Sequence, residues 1–295
     1  LSMVDWRPIV GTIPPLSHED WLKVFNDYKE SPEFKIVNQY IDLSEFKYIF
    51  WWEWFHRFFA RLLGFAFIIP LIIFIYKKRI SKNFFYNLLL LFFFGLFQAV
   101  VGWWMVKSGL DQNPYVSSYR LAFHLTNAVI ILAILFWLTV NSLYSFKIKF
   151  YPNNNIQIFV LILIFLVFIT IISGAFMAGS DAGNSFNTYP LMNGYFFPED
   201  YFIEDNFFIN LFENTIAINF NHRWLATFTF LIIIAFLIYL YFNNHFKKYK
   251  IEIFLILIIS SLQFFLGIIT LLSNVRISFA SMHQINSMLL LCSLL

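Results

Sequence analysis

Four histidines carry the chemistry that this sequence offers most plainly. His56, His124, His222 and His283 each stand close to the start of a long apolar stretch, and neutral imidazole is the commonest biological metal ligand. The residues around them repeat at a nearly constant offset. His56-Arg57-Phe58-Phe59-Ala60 answers His222-Arg223-Trp224-Leu225-Ala226, Gln98 and Gly102 answer Gln263 and Gly267, and His124-Leu125-Thr126-Asn127 answers His283-Gln284-Ile285-Asn286. Thr12-Ile13-Pro14 and Thr188-Tyr189-Pro190 form a weaker pair upstream. Landmarks in the same order predict a duplication with two like-built sites, a known construction in membrane proteins.

Two imidazoles from neighbouring helices can close both axial positions of a haem iron. The inferred pairs are His56 with His124 and His222 with His283. Zinc and copper suit these positions less, because they use three or four clustered His, Cys or carboxylate ligands, and no Cys or second His stands beside any of the four. A single membrane His is more often an interhelical hydrogen-bond donor; four at equivalent places favour ligation. Each ring is expected near a helix N-terminus, where the helix dipole disfavours imidazolium. Arg57 and Arg223 adjoin two of the ligands, Arg120 stands four residues before His124, and Arg276 seven before His283. These helical spacings put guanidinium and imidazole on one face, a positive ring suited to haem propionates.

The halves differ at one position. Glu53 precedes His56 by three residues, and Asn219 takes its place before His222. An acidic group near the membrane boundary is kept for use or for pairing. Glu53 could take a proton or stabilise a developing cation as a substrate is oxidised, or it could form an ion pair with Arg57 or Arg61. One acidic and one neutral site point to one haem being changed and one haem serving. His18 and His245 are expected in solvated loops. Cys292 is the only cysteine, so no disulfide can form within the chain, and it is expected as an ordinary core residue.

The elements that must position these groups are membrane helices. The 295 residues are 60% hydrophobic, 22% aromatic and only 13% charged, with a mean hydropathy of +0.69, which excludes an ordinary soluble domain. Seven stretches approach the ~20 apolar residues a spanning helix needs: 51–76, 86–106, 118–143, 156–179, 221–242, 251–274 and 278–295. The chain opens on Leu1 in a loop whose counterpart, 180–220, follows a spanning helix, so an eighth helix is expected before Leu1 and the last is expected to continue past Leu295. The fold class is therefore an all-α membrane protein with four helices per half, divided at 1–150 and 151–295. Lys77, Lys78, Arg79 and Lys82, then Lys147 and Lys149, then Lys247, Lys248 and Lys250 mark cytoplasmic loops, and the acidic connection 180–220 and segment 1–50 face outward. The histidines then lie toward the outer face. Trp51, Trp52, Trp54, Trp103 and Trp104 are expected as interface anchors. The net charge of +3 gives no argument for nucleic acid.

The sequence resembles the heme A synthase family, in its mitochondrial and alphaproteobacterial branch. Carrying the resemblance are Glu53-x-x-His56-Arg57, Arg120-x3-His124-x2-Asn127, the run from Gly179 to Gly194, Asn221-His222-Arg223, Met282-His283-Gln284, and the opening Leu1 to Pro8 with Thr12-Ile13-Pro14-Pro15. It covers essentially the whole chain. The resemblance implies two pseudo-symmetric four-helix bundles and an oxidoreductase that converts the C8 methyl group of haem O to a formyl group, giving haem A for terminal oxidases. It implies that His56 and His124 flank the substrate haem in the N-terminal half, that Glu53 is the catalytic carboxylate, and that His222 and His283 hold a permanent haem b in the C-terminal half. Implied partners are haem O, the haem O synthase, cytochrome oxidase assembly factors and membrane lipid, with a homo-oligomer left open. A bacterial plasma membrane is favoured over a mitochondrial inner membrane. Family members with paired cysteines in the outer loops have no counterpart of them here. Two rivals share parts of the pattern: a di-haem cytochrome b that only carries electrons, and a transporter built from repeats.

Overall fold

In a bilayer every backbone polar group must be satisfied within the segment, which selects helix for long apolar runs. The computed structural model describes Met3 and residues 12–110, 114–144, 155–203, 205–243 and 245–295. Leu1, Ser2 and Val4 to Pro8 of the opening motif, and the loop residues Lys147, Lys149 and Glu204, lie outside the described residues. Seven helices are long and apolar enough to cross a membrane. They are α3 (Leu43–Tyr76), α4 (Lys82–Ser108), α5 (Ser118–Tyr144), α6 (Asn155–Gly179), α8 (Thr215–Phe242), α9 (Lys250–Leu272) and α10 (Ile277–Leu294). Three shorter helices, α1 (His18–Lys29), α2 (Pro32–Ile36) and α7 (Phe207–Glu213), lie in the connections. No strand occurs among the described residues, only an isolated bridge between Met192 and Tyr195. The protein is an all-α, multi-pass membrane protein, as expected.

Helix starts differ from hydropathy. α3 begins at Leu43 because Asp42 caps it: its carboxylate accepts from the Ser44 and Glu45 amides at 2.8 and 2.9 Å, while Glu45 accepts from the Asp42 amide at 3.1 Å. α8 begins at Thr215, where the Asn214 side chain accepts from the Ile216 amide. His56 thus lies several turns into α3, and His222, His283 and His124 about two turns into their helices. The dipole argument for keeping these rings neutral therefore loses its basis, because that effect fades within the first turn. His18 is also not a loop residue; it opens α1, behind a capping box made by Ser17 and Asp20.

The chain divides into two compact units, Leu1–Arg120 and Leu121–Leu295. In the first, α1 lies on the start of α3 through an aromatic core of Trp21, Phe25, Tyr28, Phe46, Phe50 and Trp54. Trp21 meets Phe50 edge-on with ring centroids 5.0 Å apart, an arrangement favoured by ring quadrupoles. Trp54 is accordingly buried in this core rather than anchored at an interface, whereas Trp52, Trp103 and Trp104 are exposed. In the second unit α6, α8, α9 and α10 form a ring of neighbours: α6 packs on α8, α8 on α9, α9 on α10, and α10 on α6. That order makes α8 and α10 diagonal partners across a four-helix bundle. Its core includes Leu163, Val167, Ile233, Phe236 and Leu291, with Val129 of α5 packed against it.

Candidate functional site

The two histidines of the second half sit on the diagonal helices α8 and α10, at the end where the 180–214 connection and the α9–α10 turn meet. Each is backed by a glycine on the neighbouring helix. A Cβ at Gly174 of α6 would lie 3.2 Å from His222 Cε1, and one at Gly267 of α9 would lie 3.0 Å from His283 Cε1. Both distances are shorter than ordinary van der Waals contact, so these glycines set how far each ring withdraws toward its neighbour helix.

Hydrogen bonds fix the rings. His222 Nδ1 is 2.7 Å from Ser173 Oγ, and Ser173 donates its one hydroxyl proton to the Thr170 carbonyl at 2.9 Å. With that proton on Thr170, Ser173 accepts from Nδ1–H, the tautomer that leaves the lone pair on Nε2, the arrangement of a metal-ready imidazole. His283 has the Gln263 amide nitrogen 3.2 Å from Nδ1 and 3.4 Å from Nε2. Gln263 is held in turn by Asn286, which is buried. Ser173, Gly174 and the roles of Gln263 and Asn286 were not assigned from sequence. Gln263 and Asn286 were visible as landmarks shared with Gln98 and Asn127; for Ser173 the only signal is a polar residue in a strongly apolar helix.

Arg223 ties this site to the outer connection. Its Nη2 donates to the carbonyls of Thr188 and Pro190 at 2.8 and 3.0 Å, and its guanidinium lies over the Tyr189 ring. Its Nη1 is buried with no hydrogen-bond partner among the described residues. The Gly179–Gly194 run is explained by this docking. Gly183 passes so close to Val275 that a Cβ would come within 2.7 Å of it, Asn187 donates to the carbonyls of Gly183 and Leu271 at 3.1 and 3.0 Å, and Asp181 adopts a left-handed φ of 54°. Asn219, fully buried, donates to the Ala182 carbonyl at 2.7 Å.

In the first half, Glu53 and Arg57 form a largely buried ion pair at 2.5 Å. The Met3 amide donates to Glu53 at 3.2 Å and the Met3 carbonyl accepts from Arg57 at 3.3 Å. Glu53 and Asn219 thus do one thing alike: each hydrogen-bonds the backbone of the connection that precedes its helix. Arg120 donates to the Trp104 carbonyl at 2.8 Å and stacks over that indole, and Arg276 is exposed at the cap of α10. His56 on α3 is exposed and belongs to the first unit; His124 on α5 is half-buried and belongs to the second. Among the described residues no three His, Cys, Asp or Glu side chains gather, the number a zinc or copper site draws on. Two imidazoles on diagonal helices, each seated on a glycine, with an unpartnered buried guanidinium nitrogen nearby, fit a haem and its propionate.

The cytochrome oxidase assembly protein family, COX15-CtaA, matches residues 1–295. The chain belongs to this family. Among relatives, a protein named heme A synthase from Wolbachia pipientis subsp. Culex pipiens is 42% identical over 294 residues, covering 98% of this chain and 86% of that protein. Another so named, from Nitrosospira multiformis, is 39% identical over 293 residues, covering 98% and 82%. A third, from Bartonella tribocorum, is 39% identical over 294 residues, covering 99% and 82%. In this cytochrome oxidase assembly family, the sequence run that docks onto Arg223 and the helix pair carrying His222 and His283 fall within a match that spans the whole chain.

Proposed function

We propose that the chain is a heme A synthase that oxidises the C8 methyl group of haem O to a formyl group, giving haem A for terminal oxidases. The observation that carries this is the seating of His222 and His283 across a four-helix bundle in a chain that matches relatives of that name over nearly all of its own length. His222 and His283 are the ligands of a resident haem b, which when bound supplies one-electron transfer. Arg223 offers its unpartnered Nη1 to a propionate, with Arg276 as a second cation of that half; Arg57 and Arg120 serve the substrate haem in the other half. His56 and His124 flank the haem O iron in the half formed by 1–150, and Glu53 takes a proton during oxidation, with Arg57 holding its carboxylate in place. The half 151–295 holds haem b.

Haem O is the substrate, delivered by a haem O synthase, with other cytochrome oxidase assembly factors and a second copy of the chain as further partners. The membrane is a bacterial plasma membrane, in keeping with the bacterial sources of the named relatives, with the histidines toward its outer face. A di-haem cytochrome b that only carries electrons would use the same four histidines, but the relatives do not favour it. Expression with a haem O supply, followed by extraction and mass measurement of the pigments, is expected to yield the formylated haem; a product mass equal to haem O would count against the assignment. His222→Ala and His283→Ala are each expected to abolish the low-spin haem b spectrum, and an unchanged spectrum would reverse the division of labour between the halves.

A further inference from the structure

At the end of the second bundle opposite the histidines lies a cleft whose polar groups have no protein partner. Tyr239 follows His222 by seventeen residues on α8, about 25 Å along the helix axis, close to the thickness of a bilayer's hydrocarbon core. There Tyr239, the first two residues of α6, Asn155 and Ile156, and His245, Lys248 and Tyr249 of the α8–α9 connection line a cleft of about 370 Å³. The connection turns tightly, with the Lys248 and Tyr249 amides both donating to the His245 carbonyl at 3.1 Å. Lys248 Nζ lies over the Tyr249 ring, 4.9 Å from its centroid, so cation–π attraction rather than a carboxylate holds it. No ion pair among the described residues involves Lys248, and Glu252, the nearest acid in sequence, is exposed on the first turn of α9. Nor, among these residues, do the Tyr239 and Tyr249 hydroxyls, the Asn155 amide or the His245 ring make a side-chain hydrogen bond.

We propose that this cleft binds the phosphate group of an anionic membrane phospholipid. A phosphate diester presents only acceptor oxygens, and the cleft answers with donors: an ammonium group, two phenol hydroxyls, a carboxamide and an imidazole N–H. The bond from Lys248 is charge-assisted and so the strongest of them. Lys247 and Lys250 flank the cleft without lining it and add to the positive field. A soluble phosphate would meet the same donors, but the surroundings select a lipid. One turn along α6 from Asn155, Phe159 packs against Tyr239 and Phe236 with ring centroids 6.0 and 5.9 Å apart, yet remains 44% exposed, and Tyr239 is 38% exposed. An apolar surface therefore runs from the cleft down the seam between α6 and α8, where acyl chains would lie. Basic pockets between spanning helices are suited to anionic headgroups in this way. The site is independent of the histidines, which lie at the other end of the bundle.

Native mass spectrometry of the purified full chain, incubated with phosphatidylglycerol or with phosphatidylcholine of the same acyl chains, tests this. Phosphatidylglycerol is expected to be retained in preference. Lys248→Gln is expected to lower its retention about fivefold, the factor one lysine supplies close to an anionic membrane surface, and Lys248→Arg to keep most of it. Lys247→Gln, which removes the same charge outside the cleft, is expected to change it little. The double variant Tyr239→Phe, Tyr249→Phe keeps both rings and removes two donors, and is expected to lower retention although no charge is lost. Equal retention of the two lipids, equal losses in Lys247→Gln and Lys248→Gln, or wild-type retention in the tyrosine double variant overturns the inference, because a diffuse surface charge would then suffice. An excess of inorganic phosphate is expected to leave the lipid in place. Displacement of the lipid by phosphate in wild type would assign the cleft to a soluble anion and overturn the lipid reading.

Discussion

Glu53 is the residue at which the two halves part, and its surroundings show why one residue can serve two ends. Its carboxylate is paired with Arg57 and accepts from the Met3 amide, which satisfies the structural alternative raised by the sequence, an ion pair with a neighbouring arginine. At the equivalent position Asn219 secures the Ala182 carbonyl without any charge. Docking of the preceding connection therefore needs only a hydrogen-bonding side chain, and the charge at 53 adds the ion pair with Arg57, which Asn219 cannot form. Glu53→Gln keeps the shape and an acceptor for Met3 but cannot take a proton in the relevant range. If Glu53 is catalytic, haem A formation should fall by about 100-fold or more, within the range that general acid–base groups supply, while the haem content stays near wild type. Parental rates of haem A formation, measured chromatographically, would remove Glu53 from the mechanism.

The helices impose their own test through the glycines. At Gly174 and Gly267 a methyl group would press on the His222 and His283 rings. Overpacking of this kind destabilises by about 1–3 kcal/mol, and here the displaced group is the imidazole itself. Gly267→Ala is expected to weaken haem retention and to broaden or lose the low-spin spectrum. Gly95→Ala, where a Cβ would meet nothing within 4 Å, serves as the silent control on α4. The α1–α3 packing offers a pH test outside the spans. Burial among Phe25, Phe34 and Phe46 pushes the Tyr28 phenol up to about 12, opposed in part by the hydrogen bond from Asn38. A raised value in the folded state means that the neutral phenol stabilises the packing. That contribution is complete below the ordinary phenol value of about 10 and is lost as pH rises through about 12. Fluorescence of Trp21 and its neighbours should report loosening of α1 in that window, and Tyr28→Phe should move the transition to higher pH.

Across the whole molecule, the distribution of basic residues predicts which loops face the cytoplasm. In a Cys292→Ser background, Lys248→Cys between α8 and α9 should resist a membrane-impermeant maleimide in intact cells, whereas Tyr195→Cys in the 180–214 connection should be labelled. Labelling of Lys248→Cys alone would invert the protein. The bundle gives this orientation its consequence, because Ser173, His222, Gln263, Gly267 and His283 all lie toward the end that carries the 180–214 connection. Arg223 and Asn219 fasten that connection over the same end, so the site would open outward beneath a docked cover.

Hydropathy was enough to specify seven membrane helices and an all-α class, and the repeat singled out four histidines and one carboxylate as candidates for chemistry. Apolar length decides spanning helix on its own, since the bilayer leaves the backbone no alternative. The starts of α3 and α8 were missed by hydropathy because Asp42 and Asn214 extend the helices through polar residues, which moved the histidines away from the helix ends and removed one electrostatic argument. What only the tertiary structure decided is which atoms face each ring. The diagonal placement of α8 and α10, the glycine behind each imidazole, the hydroxyl beside His222 and the amide beside His283 all come from packing between helices. The orientation of an amide depends on the whole chain of partners behind it, as Ile259 and Asn286 fix it for Gln263, and no local spacing encodes that.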